Sequence, residues 1–181
     1  MSEGQSTSLI VQQLDLLIGG YGYNCYRSEN QMRADDQLVR QRASQALAEA
    51  ARLLSGLHVA YQQRFIPTAT RENPLPPAGE LQRAREITRL RERIEALDAQ
   101  VRGMSVPTQD RFWQRYRTEA GLLNQLIDFD YRLITLSAEV EQRVRALTPD
   151  GWKSGEGAAL DEPLRGIEAA VRERSRLLLS T

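Results

Sequence analysis

The sequence predicts an all-α fold: an antiparallel helical bundle of four main helices, two of them long, plus a short N-terminal helix. Three observations carry this expectation. Proline and glycine are scarce over two long stretches: Tyr23 to Ile66 holds no Pro and one Gly (Gly56), and Thr108 to Thr148 holds no Pro and one Gly (Gly121). Both stretches are rich in Ala, Leu, Arg, Gln and Glu, which lose little on entering a helix. No segment alternates with period two for long enough to form a strand. The 181 residues suit a single helical-bundle domain over 1–181 with a real core.

A short helix is expected over 8–18, where Leu9, Ile10, Leu14, Leu17 and Ile18 precede a Gly19-Gly20 stop. The first long helix is expected over 24–65. Its apolar seam steps by fours and threes through Cys25, Met32, Val39, Ala43, Ala46, Ala50, Leu53, Leu57 and Ala60, widened by Leu47, Leu54 and Tyr61. A Pro-rich loop over 67–79 follows, with four of the seven prolines.

A third helix is expected over 80–103. One stripe carries Leu81, Ala84, Ile87, Leu90, Ile94, Leu97 and Val101. The other face holds Arg83, Glu86, Arg89, Glu92, Arg93 and Asp98 and is expected to be solvated. The second long helix, over 109–147, carries Leu122, Leu126, Phe129, Leu133, Leu136, Val140 and Leu147, with a parallel line through Trp113, Tyr116, Ala120, Leu123, Ile127 and Ile134. These faces are broad, as a globular bundle needs, rather than a narrow coiled-coil seam. Residues 148–159, with Pro149 and three glycines, read as a flexible loop. Asp161-Glu162-Pro163 then opens a last helix over 161–179, with Leu164, Ile167, Val171 and Leu178 inside.

Composition narrows the chemistry. The 24 basic and 24 acidic side chains cancel, which argues against a general nucleic-acid binder. Cys25 is the one cysteine, so neither an intramolecular disulfide nor a Cys-based zinc site can form. His58 is the one histidine, and its helical neighbours suit packing better than catalysis. All basic residues but Lys153 are arginine, and Lys153 sits among glycines. The opening residues show no basic export-signal region, and no apolar run approaches the roughly 20 residues of a membrane span. A cytoplasmic protein without membrane contact is the expectation.

No catalytic constellation stands out. Gly19-Gly20-Tyr21-Gly22 lacks the ending of a phosphate loop. Glu92, Glu95 and Asp98 have the spacing of a metal-binding acidic motif, but they lie among arginines without a partner motif. No catalytic residue, metal or cofactor is therefore assigned.

The informative positions are acids that interrupt apolar seams: Glu29 and Asp36 in the first long helix, Glu119 and Asp130 in the second. An ionised carboxylate on an inward face needs a partner, or its pKa rises. The nearby segment is rich in polar and aromatic groups: Tyr21, Tyr23, Tyr26, Arg27, Asn30 and Arg33. With antiparallel long helices, Arg27 or Arg33 comes within reach of Asp130 or Glu119. Two readings compete. The acids either form structural pairs with arginines that set helix register, or line a pocket for a small molecule or a partner's tail. The leading expectation is a non-enzymatic protein working through protein–protein contacts, as an adaptor, accessory subunit or self-associating component. The alternative is an α-helical ligand-binding protein or enzyme built on the Tyr21–Asp36 region with Glu119 and Asp130.

Overall fold

The computed structural model describes residues 29–68, 70, 71, 75, 77–104 and 120–179; within these, the side chains of 29–36, 120–124, 127, 178 and 179 fall outside the description. The short helix expected over 8–18, and residues 24–28 and 105–119 of the expected helices and corner, also lie outside it. Among the described residues five α-helices follow in order: α1 (Glu29–Phe65), α2 (Ala78–Arg102), α3 (Ala120–Ala146), α4 (Pro149–Ser154) and α5 (Asp161–Leu179), with a 3₁₀ segment over Glu156–Leu160. The described residues contain no strand, and the helices pack on one another as an all-α bundle.

Long-range pairs give the helix directions. Ser44 on α1 meets Asp98 on α2 and Tyr61 meets Glu80, so α1 and α2 run antiparallel. Arg40 closes the far end of this hairpin on the Met104 carbonyl at 3.1 Å. On α3 and α5, Asp130 pairs with Arg174 and Arg132 with Glu173, while Arg143 reaches the Ala159 carbonyl just ahead of α5, again antiparallel. Glu49 with Arg145 and Arg64 with Asp150 place the end of α3 toward the end of α1. The two long helices therefore run in the same direction, and antiparallel order holds between chain neighbours. This corrects the antiparallel long-helix arrangement considered from sequence. Two direction reversals, α1 to α2 and α2 to α3, leave the two long helices parallel.

The core is a continuous apolar cluster from all four main helices. On α1 its centre line is Ala43, Leu47, Ala50, Leu54, Leu57 and Tyr61. The residues expected to widen the seam are thus its middle, and Ala46, Leu53 and Ala60 are its half-buried flank. Ala84, Ile87, Ile94, Leu97 and Val101 face them from α2, with Leu133, Val140 and Val144 from α3 and Leu164, Ile167 and Val171 from α5. Full burial of each large apolar side chain contributes about 1.5–3 kcal/mol.

Two expectations require correction. Residues 148–159 form α4 and the 3₁₀ segment instead of a flexible loop. Thr148 caps α4 by accepting the Gly151 amide at 3.1 Å, Pro149 supplies a pre-set φ at the first position, and Asp150 favours the positive helix end. Gly155, at φ 95°, ends α4 in the left-handed conformation that glycine tolerates. Gly157 permits close packing: a Cβ there would stand 2.3 Å from the Trp152 ring.

The second correction is Asp98. The sequence pattern puts it on the solvated face of its helix, yet it is only 4% exposed. It faces α1, accepts the Ser44 hydroxyl at 2.5 Å and pairs with Arg102 one turn on, so its charge is compensated. Arg93 likewise leaves the expected solvated face. Its guanidinium reaches Glu168 at 2.9 Å and Asp161 at 3.0 Å, tying α2 to α5.

Candidate functional site

The ten residues proposed from sequence fall into three groups. Tyr21, Tyr23, Tyr26, Arg27 and Glu119 lie outside the described residues. Glu29, Asn30, Arg33 and Asp36 occupy the first turns of α1, with their side chains outside the description. Asp130 is buried on α3, and Arg174 of α5 donates its Nε to Asp130 Oδ1 at 3.1 Å. On the register defined by Glu49 and Arg145, Asp130 falls level with the opening turns of α1.

Arg174 was missed from sequence, although a signal existed. It continues the inner stripe of α5 after Leu164, Ile167 and Val171, so a cation stands where the spacing demands a buried residue. It is 2% exposed. Each charge compensates the desolvation of the other.

A second polar cluster lies where α4 crosses the tip of the α1–α2 hairpin. Tyr61 is fully buried and donates its hydroxyl to the Glu80 carboxylate. Glu80 also receives Arg83 at 3.1 Å and Lys153 Nζ at 3.0 Å. The Lys153 ammonium stands 4.3 Å from the Phe65 ring centroid, a cation–π arrangement, and the Tyr61 and Phe65 rings are 4.9 Å apart. Trp152 donates its indole N–H to the Arg83 carbonyl at 3.1 Å. Arg64 adds an exposed pair with Asp150.

Burial, then the Glu80 carboxylate, push the Tyr61 phenol up to about 12. The Tyr61 hydroxyl first, and then Lys153, hold Glu80 below the usual carboxylate range. Both shifts move these groups away from neutral pH, where general acid–base chemistry needs its groups poised. The cluster thus acts as a clasp that seats α4 on the hairpin.

The clasp fixes one wall of a cleft of about 450 Å³. Glu86, Arg89, Leu90 and Arg93 line it from α2. Trp152, Gly155, Gly157, Ala158 and Asp161 line it from the opposite side. Leu90 and Trp152 are half-buried and supply apolar surface. Arg93 is occupied by Asp161 and Glu168, and Glu86 accepts the Gln82 amide at 3.3 Å. Arg89 has no ionic partner among the described residues. The sequence offered one hint of this region, the placement of Lys153 between glycines.

His58 is half-buried on α1. Among the described residues no group of three or more His, Cys, Asp or Glu side chains is arranged to hold a metal ion. Among the same residues no helix is long and apolar enough to cross a membrane.

Fold and cleft together define the class: an all-α helical bundle with a charged-rimmed surface cleft beside a clasped short helix. No family model, curated protein or solved structure matches this chain.

Proposed function

We propose that this chain is a non-enzymatic helical-bundle protein that acts through protein–protein contacts, as an adaptor, accessory subunit or self-associating component, with the cytoplasm as its expected compartment. The observation that carries the reading is the use of the inward acids. Asp130 is held by Arg174, and Asp98 by Ser44 and Arg102. Such closed pairs support the structural reading of these carboxylates, because a carboxylate held by its own fold is not offered to a ligand. The alternative pocket of Tyr21–Asp36 with Glu119 and Asp130 draws no support from Asp130.

Size-exclusion chromatography with light scattering, joined to cross-linking and affinity capture in a lysate, tests the proposal. Self-association or a stoichiometric partner is the expected result. A strict monomer that captures nothing overturns it.

A further inference from the structure

We propose that the cleft between α2 and the Trp152–Asp161 segment docks an acidic peptide, Arg89 pairing with its carboxylate and an adjacent apolar side chain lying between Leu90 and Trp152. The inference rests on the protein-contact reading and names the kind of partner.

Three features lead to it. The first is preorganisation. Trp152 is pinned through its N–H to Arg83, and Gly157 lies against its ring. The opposite wall is anchored through Arg93 to Asp161 and Glu168. A preformed cleft avoids the ordering cost that otherwise reduces affinity.

The second is charge. Of the two acids on the rim, Asp161 is paired with Arg93, and Glu86 accepts the neutral Gln82 amide and keeps its charge. Arg89 has no ionic partner among the described residues, and neither has the exposed Arg85 one turn earlier. Like charges at this spacing repel within a helix. Glu86 and Glu92, three residues to either side of Arg89, offset part of that repulsion, and a carboxylate from outside would offset more of it and accept two parallel N–H bonds from the Arg89 fork.

The third is size. About 450 Å³ accommodates one or two side chains, and Leu90 and Trp152 offer apolar surface beside Arg89. The complementary ligand therefore has an acid next to an aliphatic residue.

The probe is the peptide acetyl-Gly-Glu-Leu-Leu-Gly-amide, titrated into the full chain carrying Trp113→Phe, which leaves Trp152 as the one indole. The reporter is the Trp152 indole N–H resonance in a proton–nitrogen correlation spectrum. A saturable shift is expected. Binding should weaken about tenfold with Gln in place of Glu in the peptide, and by a similar factor in Arg89→Glu. Arg89→Lys should retain part of it, since the charge stays while the fork is lost. Circular dichroism confirms that each variant is folded.

An unmoved Trp152 resonance, or equal shifts with the Glu and Gln peptides, overturns the inference. So does an equal response to inorganic phosphate, which would show a general anion contact. If a protein partner or self-association is found while the peptide leaves Trp152 unmoved, this inference fails and the protein-contact reading stands. If the peptide binds but the chain is a monomer without partners, the broader reading fails and the cleft assignment stands.

Discussion

Arg174 and Asp130 form a pair whose members cannot be removed singly without cost. Asp130→Leu leaves the buried guanidinium of Arg174 without this carboxylate and is expected to destabilise the fold by about 3–5 kcal/mol. The double variant Asp130→Leu, Arg174→Met should recover most of that loss, measured by urea unfolding. Failure of the second substitution to rescue would show that other contacts of these residues dominate. The Tyr61–Glu80 contact predicts a pH profile. Tyr61 titrates near 12 in the folded chain against an ordinary value of 10, so its contribution is complete below pH 10 and is lost as pH rises from 10 to 12. Glu80 is depressed, so its contribution is present above the ordinary carboxylate value and is lost as pH falls through the folded one. Tyr61→Phe should flatten the alkaline limb of a stability–pH curve followed by circular dichroism. An unchanged limb would remove Tyr61 as its source. At this scale the sequence revealed Asp130 as an inward acid, because its helical neighbours are apolar. It could not reveal the partner, which lies 44 residues away on another helix.

Among the elements, α4 and the 3₁₀ segment separate composition from conformation most clearly. Three glycines and a proline over 148–159 suggest a flexible loop, yet each has a positional use. Pro149 starts a helix, Gly151 makes room for the Glu156 carboxylate, Gly155 ends the helix, and Gly157 makes room for the Trp152 ring. Gly157→Ala is therefore expected to displace Trp152 and destabilise by about 1–3 kcal/mol, with a red-shifted emission in the Trp113→Phe background. Unchanged emission would mean that the ring yields without losing its site. Thr148→Ala should cost about 1 kcal/mol through loss of the cap to Gly151. The long helices were legible because their apolar spacing persists over many turns, and α5 begins and ends where the sequence placed it. The centre of the α1 seam was not. Neighbouring lines three and four residues apart are equally apolar there, and only the facing helices select one.

For the whole molecule, α1 is the shared wall on which α2 and α3 pack, and α5 packs against α3 and touches α2. Arg93 is a principal link across that last contact. Its ion pairs are partly exposed, so Arg93→Ala should cost about 1 kcal/mol at most. The loss should be visible mainly as faster amide exchange in the first turns of α5. Uniform exchange across all helices would place the effect in global stability instead.

Local order is what the sequence by itself determined: an all-α chain, the main helices, their apolar faces and the inward position of Asp130. Helix propensity and 3.6-residue periodicity act over a few turns, so they can be read along one chain. Pairing is what the tertiary structure decided. It joined Asp130 to Arg174, turned Asp98 toward Ser44, made Arg93 a bridge, and drew the glycine-rich segment into a clasp beside a cleft. Those outcomes depend on which helices lie side by side and at what register. Packing and charge compensation between distant segments set both.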